Sequence, residues 1–326
     1  MAALSKKLNW LLIAASLPGW CAVSFAQGFP THPVRIVAAT PPGGAADVNA
    51  RLLSERLARK WKQPVVVQNS AGVAGSVAAV TVAEATPDGY TLLFVAHPVL
   101  AVNPLLYKKL PFNAERDFVP VVLLTRMPHV LLVNPALPAA TVGEFIALAK
   151  AKPGTLNYGS GGAGSSTHLA SELLADAASI DLRHVPYRGA APAVTALISG
   201  EIQFLFDATI TAIGHLRGGR VRGIAIASMT RSAVLPDIPT FDESGVKRFE
   251  SSIAHGILAP SKVAPATLAQ LNRDLNETLG EPEYKKRMAE FGADLVGGSG
   301  KEFQAFLAAE NKKWAAVIKK RGINAE

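Results

Sequence analysis

Two glycine-rich turns hold the residues of this chain best suited to chemistry. The first, Pro41-Pro42-Gly43-Gly44-Ala45-Ala46-Asp47, follows the apolar run Val34 to Ala39. The second, Gly159-Ser160-Gly161-Gly162-Ala163-Gly164-Ser165-Ser166-Thr167, follows Leu156-Asn157-Tyr158. A glycine turn that opens a helix bares backbone N–H groups with no intrahelical acceptor, and the positive end of the helix macrodipole adds to their pull on an anion. One such turn in each half of the chain describes a cleft that grips an anion from both sides.

Other chemistries meet obstacles in the same residues. Gly159, Gly161 and Gly164 satisfy G-x-G-x-x-G between a strand and a helix, but a dinucleotide site wants an acidic residue at the carboxyl end of the next strand. Asp181 stands at the wrong end of Leu182 to Val185. A P-loop needs a lysine that neither turn has, and Gly164-Ser165-Ser166-Thr167-His168 lacks the closing glycine of a hydrolase nucleophile elbow. The seven histidines, His32, His97, His129, His168, His184, His215 and His255, show no metal-ligand spacing. No cofactor, metal or catalytic constellation is expected. His168, in the first helical turn after the second loop, either packs and caps that loop or touches ligand. Asp47 has the same two readings, a latch at a helix N-terminus or a contact to a ligand amine.

The elements that position these turns alternate. Val34 to Ala39, Pro64 to Val67 and Tyr90 to Val95 read as strands; Ala46 to Lys60 and Ser76 to Ala85 read as helices between them. That order implies a parallel sheet covered on both faces. The middle repeats it with strands at Val130 to Val133, Leu182 to Val185 and Ile202 to Phe206. Helices follow from Thr141 to Lys150, Ser165 to Ala175 and Pro192 to Ile198. After about residue 260 the chain turns helical, with Leu268, Leu271, Leu275 and Leu279 on one packing stripe and Phe303, Phe306, Leu307, Trp314 and Val317 on another.

At 326 residues there is room for two domains, and 49% hydrophobic against 18% charged residues excludes a disordered chain. Lys6 and Lys7, the apolar stretch Leu8 to Leu17 and Ser24-Phe25-Ala26 read as a cleaved secretory signal peptide over Met1 to Ala26. The exported product is expected to be soluble. Cys21, the single cysteine, raises lipidation as an alternative that the bulky Trp20 before it disfavours; the mature chain then has no thiol for disulfides or catalysis. Net charge is +8, and +6 without Lys6 and Lys7. Basic residues come as isolated pairs such as Lys108-Lys109, without the stripe or aromatic interleaving of a nucleic-acid binder, so a small anionic partner fits better.

Several motifs in order, Pro41 to Asp47, Gln63 to Val67, Pro87-Asp88-Gly89-Tyr90, Asn157 to Ser160, His168-Leu169-Ala170, Val185 to Gly189 and Leu235 to Thr240, resemble the Bug proteins. These are the substrate-binding proteins of tripartite tricarboxylate transporters, and the resemblance covers nearly all of the mature chain. It implies an α/β fold of the type II periplasmic binding protein class, two α/β lobes closing like a Venus flytrap on a small carboxylate. Lobe 1 would comprise residues 27–127 and 250–326, and lobe 2 residues 128–249. The implied clamp consists of backbone amides and hydroxyls from Pro42, Gly43, Gly44 and Asp47, the loop with Gly72 and Gly75, and Ser160, Gly164, Ser165, Ser166 and Thr167, with Asp207 also in the ligand-binding set.

The resemblance further implies a monomer in the periplasm that hands a di- or tricarboxylate, an acidic amino acid or an aromatic acid to membrane transporter subunits or to a sensor. This chain departs from the family pattern at Ala208, where asparagine usually stands, at Ala254 and His255, where an aromatic pair is common, and in the bulky loop Ala96-His97-Pro98-Val99. His97 and His255 are therefore expected to set selectivity.

Overall fold

The structure, a computed structural model, describes residues 28–72 and 75–324; the expected leader and Cys21 lie outside them. The first half-sheet begins with β1 (Val34–Ala38), α1 (Ala45–Trp61), β2 (Val65–Asn69), α2 (Ser76–Ala83) and β3 (Thr91–Ala96). β1 runs parallel to β2 on one side and β3 on the other, as the alternating pattern requires. Four of its five residues are buried, so it is a central strand. Ala46, Ala50, Leu53 and Leu57 recur at helical spacing and bury one side of α1 against the sheet.

Two single-turn helices, α3 (Pro98–Ala101) and α4 (Asn103–Leu106), lead into β4 (Phe118–Val133). Sequence reading predicted a strand only over Val130 to Val133. β4 is in fact 16 residues long and belongs to both halves of the molecule. Pro120, Arg126 and Pro128 obscure its apolar pattern. Pro120 sits where the register shifts, and Pro128 where one half-sheet gives way to the other, the irregular positions at which a strand tolerates a residue without an N–H.

The second half-sheet contains α5 (Val142–Ala151), β5 (Asn157–Ser160), α6 (Ser166–Ala178), β6 (Arg183–Pro186), α7 (Ala190–Ser199), β7 (Phe204–Ala208), α8 (Thr209–Arg217) and β8 (Arg222–Ile226). α5 starts at a reciprocal cap in which Thr141 Oγ1 accepts from the Glu144 N–H and Glu144 returns the bond to the Thr141 N–H. α7 begins at Ala190, two residues earlier than Pro192, because Gly189 is its N-cap and a proline in the first turn removes only an N–H that has no helical acceptor. β7 is also shifted from Ile202–Phe206 to Phe204–Ala208, which places Asp207 inside a strand.

The chain returns through β9 (Ser252–Pro260), antiparallel to both β3 and β4, and ends with α9 (Pro265–Gly280), α10 (Pro282–Glu290), β10 (Asp294–Gly297) and α11 (Gly300–Arg321). The strand order is β2-β1-β3-β9-β4-β7-β5-β6, with β10 and β8 also paired to β4. Two α/β lobes result, joined along β4 and at the approach to β9. At the junction the His129 N–H donates to the Ser251 carbonyl at 3.0 Å, and the Ala227 N–H donates to the His129 carbonyl at 2.8 Å.

Each lobe has apolar cores on both faces of its sheet. A smaller cluster bridges the lobes, formed by Val102 between α3 and α4, Leu106 from α4, Leu169 from α6, and Trp314 and Ile318 from α11. α11 thus packs its first half on lobe 1, where Phe303 is buried, and its last turns on lobe 2.

Candidate functional site

The first turn joins β1 to α1. Gly43 has φ +85, a backbone conformation that a side chain disfavours, and its N–H donates to Asp47 Oδ2 at 2.9 Å. The other oxygen of Asp47 accepts from Arg51 Nε at 2.9 Å and Asn69 Nδ2 at 2.8 Å. Asp47 is the latch of this loop. With its carboxylate engaged there, Gly44, Ala45 and Ala46 open α1 with N–H groups that have no helical acceptor. Gly72 and Gly75 form the adjoining loop, where the Gly75 N–H donates to the Gly72 carbonyl at 2.8 Å and Gly75 begins α2. Beside them Ser76 Oγ is buried without a partner.

The second turn is tied more firmly than its sequence suggests. Ser160 Oγ accepts from the Gly162 N–H and lies 2.6 Å from His184 Nε2. Thr167 Oγ1 accepts from the Gly161 N–H, and Ser165 Oγ accepts from the His168 N–H as the N-cap of α6. His168 Nδ1 accepts from the Gly164 N–H at 3.1 Å. His168 therefore holds the loop, and its ring stacks on His184 at 4.0 Å and 7°. Burial lowers both pKa values to about 4; for His184 the neighbouring His168 adds to the effect. The hydroxyls of Ser160, Ser165 and Thr167 shape the turn from within, which leaves the backbone at the start of α6 as its outward-facing donor set.

The two turns lie on facing lobes that touch. Pro41 packs on Gly189 at the N-cap of α7, and a Cβ on Gly43 would lie 3.7 Å from Ala191 Cβ. On the other side Gly164 abuts Leu106 of α4. A crevice too narrow to admit a water molecule with the lobes as they stand is lined by Gly159, Ser160, Gly161, Thr167, Ala190 and Asp207, among others. Its polar groups are therefore the second turn, the start of α7 and one carboxyl group. Sequence reading recorded Gly189 in a motif but gave the Gly189-Ala190-Ala191 turn no role. A glycine immediately before a helical run was the available signal.

His129, also without a role in the sequence reading, sits at the junction of the lobes. Its Nδ1 lies 3.0 Å from Ser251 Oγ on the return crossover, and its Nε2 lies 3.2 Å from Ser166 Oγ at the start of α6. Burial pushes its pKa down to about 3, with the charges of His97 and Lys313 acting in the same direction.

His97 and His255 lie within lobe 1. His97 Nδ1 accepts from the Ala254 N–H at 3.2 Å, and its Nε2 is 3.2 Å from Glu310 Oε2 on α11. Burial raises the pKa of Glu310, but the bond to His97 and the charges of His97 and Lys313 outweigh it and hold the group at about 2. His255 Nδ1 meets Asn49 Nδ2 at 3.3 Å, with Thr125 and Tyr284 bonded to the same asparagine. Neither ring lines the crevice. Ala254, buried in the lobe 1 core, and Ala208, buried at the end of β7, are likewise packing positions.

Among the described residues no group of His, Cys, Asp and Glu could hold a metal ion, and no helix is long and apolar enough to cross a membrane.

Residues 49–323 match the family model described as tripartite tricarboxylate transporter family receptor. The chain is 34% identical over 298 residues to Protein BugT of Bordetella pertussis, covering 91% of each. Two solved structures share the fold. One is Rpa4515 of R. palustris with adipate, at 31% identity and a TM-score of 0.88, covering 91% of this chain and 99% of that one. The other is MatC (Rpa3494) from Rhodopseudomonas palustris with bound malate, at 30% identity and a TM-score of 0.83, covering 89% of this chain and 100% of that one.

Proposed function

The chain belongs to the tripartite tricarboxylate transporter receptor family, and from that premise we propose that it is a periplasmic solute-binding protein that captures a small carboxylate without catalysis. The ligand classes open to it are di- or tricarboxylates, acidic amino acids and aromatic acids. Delivery goes to the membrane subunits of a tripartite transporter. Residues 27–127 with 250–326 act as one lobe and residues 128–249 as the other, as far as Met1 to Ala26 is removed as a leader.

The observation that carries this reading is that the first glycine turn meets the Gly189 turn at the start of α7, which in turn borders the second glycine turn at Gly161. Helix starts from both lobes converge where Pro41 seats on Gly189, so one carboxylate can be held by N–H groups from each. Backbone donors are neutral, and a carboxylate held by several of them needs no buried counter-ion with its desolvation cost. The clamp proposed here is the set of helix-start N–H groups at Gly44, Ala45 and Ala46 and at Ser166 and Thr167; Pro42, Gly43, the Gly72 and Gly75 loop and Ser165, whose donors are absent or used within the turns, hold those groups in place. Asp47, Ser160 and Gly164 shape it. The carboxylate ligands named for Rpa4515 and MatC agree with this class.

A thermal-shift panel of adipate, malate, citrate, glutamate and benzoate tests the reading. Stabilisation that grows with ligand concentration as RT ln(1 + [L]/Kd) is the expected result. No shift with any member at millimolar concentration would refute it.

A further inference from the structure

We propose that Asp207 meets the bound ligand as a neutral carboxylic acid, donating a hydrogen bond from Oδ2, so that capture of a dicarboxylate takes up one proton from solvent. This rests on the carboxylate-binding reading and specifies the chemistry of the same cleft.

Position comes first. Side chains alternate along β7, so Phe206 turns toward Phe241 and Phe249 while Leu205 and Asp207 face the α7 side. There Asp207 lines the crevice with Gly159, Ser160, Gly161, Thr167 and Ala190. Ala190 opens α7, which has no side-chain cap, so the first N–H groups of that helix face the same space.

The second observation is the carboxyl group itself. Asp207 is 2% exposed. Its Oδ1 accepts from the Ala208 N–H at 2.9 Å, whereas its Oδ2 is buried without any hydrogen-bond partner. An orphaned buried oxygen costs stability unless a ligand or a proton satisfies it.

No charged neighbour supports an ionised Asp207. The Thr211 hydroxyl on α8 donates to the Ala208 carbonyl, and α6 and α7 contribute Thr167, Ala193 and Val194. On β4 the residue opposite is Val130, while His129 is opposite Ala208, on the other face of the sheet, and bonded to Ser166 and Ser251. Burial pushes the pKa up to about 7 against the smaller pull of the Ala208 amide and of the nearby Thr211 hydroxyl, whose own hydrogen bond goes to the Ala208 carbonyl rather than to Oδ2. An arriving carboxylate would repel an ionised Asp207 but can share a proton with a neutral one, in a short charge-assisted O–H···O bond. An ammonium group would prefer the ionised form, yet it would also face the positive ends of α6 and α7. The sign of the pH dependence therefore separates the two ligand types.

Isothermal titration of the full mature protein with adipate, malate and citrate, from pH 6 to 9, is the test. For whichever of these acids binds, affinity should be level near pH 6 and fall by up to about tenfold per pH unit above neutrality. Titrations at pH 8 in two buffers of different ionisation enthalpy should report uptake of close to one proton. Asp207→Asn, whose Nδ2–H is a weaker donor than the acid O–H, should bind more weakly than the low-pH form but with no pH slope over this range, and take up no proton. Affinity independent of pH, affinity that rises with pH, or an Asp207→Asn protein with the original slope would each overturn the inference. If Asp207→Asn fails to fold, proton uptake by the unaltered protein decides alone. If none of the three acids binds at any pH, the dicarboxylate inference falls, and the thermal-shift panel then shows whether the wider carboxylate reading falls with it.

Discussion

Pro41 Cγ lies 2.5 Å from the point that a Cβ on Gly189 would occupy. The first turn of lobe 1 thus seats on the N-cap of α7 in lobe 2 at a place where that lobe has no side chain, and Gly189, at φ +116, also has a backbone that favours glycine. A side chain at Gly189 would push the two lobes apart at this point.

Gly189→Ala should therefore weaken ligand binding by about tenfold or more, because a shortfall in closure of roughly 1.4 kcal/mol already has that effect. Strain at the positive φ adds a stability cost of about 1 kcal/mol. The double variant Pro41→Gly with Gly189→Ala separates the two terms. Calorimetric affinity should partly recover in it, whereas the melting temperature should not. Equal affinities for the single and double variants would count against the contact.

At Gly164 a similar argument gives a larger effect. φ is +75, a Cβ would lie 2.6 Å from Leu106 Cδ1, and the N–H is held by His168. Gly164→Val is expected to prevent closure and abolish detectable binding while circular dichroism stays close to that of the parent. Gly44 has an ordinary φ and only Thr40 Oγ1 at 3.3 Å, so Gly44→Ala should bind within a few-fold of the parent. Retained affinity in Gly164→Val would refute this account of the clamp.

Much of this arrangement was legible in the sequence, for reasons that differ from element to element. The two turns were visible because glycine followed by a helical period is a local signal. Leu53 and Leu57 on α1, or Thr141 with Glu144 on α5, follow the same local rules. β4 was largely missed because its pairing with β9 is long-range and prolines break its pattern. Asp47 and His168 could be narrowed to latch or ligand contact, and only coordinates show Gly43, Arg51 and Asn69 around the one and the Gly164 N–H on the other. His97 stood out because its loop is bulkier than the family pattern, but its partner Glu310 comes from α11, more than two hundred residues away in sequence. His129 carried no local signal at all, since Ser166 and Ser251 reach it only through the tertiary fold.

Four histidines, three buried and His184 half-buried, make stability fall in acid. His129 and His255 have pKa values lowered to about 3, and His168 and His184 to about 4, with burial the leading cause for each. Their unfolded values are near 6.5. Between those limits the unfolded chain binds more protons, so the contribution is complete above about pH 6.5 and is lost as pH falls. Each can contribute a slope of up to about 1.4 kcal/mol per pH unit. Asp207, raised to about 7, has the opposite sign: the folded state binds its proton more tightly, and stability falls as pH rises from about 4 toward 7. Urea denaturation from pH 4.5 to 7.5 should show a net rise in stability. His168→Asn, which keeps an acceptor for the Gly164 N–H but cannot titrate, should flatten that rise. An unchanged slope would show that His168 is not one of the groups responsible.

The end of α11 offers a test of how the lobes stay together. Arg321 Nε donates to Glu172 Oε2 at 3.0 Å, and the other oxygen of Glu172 accepts from the Tyr158 hydroxyl at 2.6 Å. Tyr158 in turn stacks on His184, which is bonded to Ser160 of the second turn. One and two turns earlier Ile318 and Trp314 pack on Leu169 of α6, while Asn311 Nδ2 donates to the Ala101 carbonyl of lobe 1. α11 thus holds lobe 1 with one end and the support of the second turn with the other. Arg321→Gln leaves Tyr158 its bond and removes only the tether, whereas Trp314→Ala removes the apolar contact at a cost of about 3–5 kcal/mol. Both variants should lower the fraction of closed protein, and apparent affinity should fall in the same proportion. Trp314→Ala is expected to have the larger effect, and small-angle scattering should show a larger radius for it without ligand. If both variants bind as tightly as the parent and scatter identically, α11 is packing alone and closure rests on the Pro41 and Gly164 contacts.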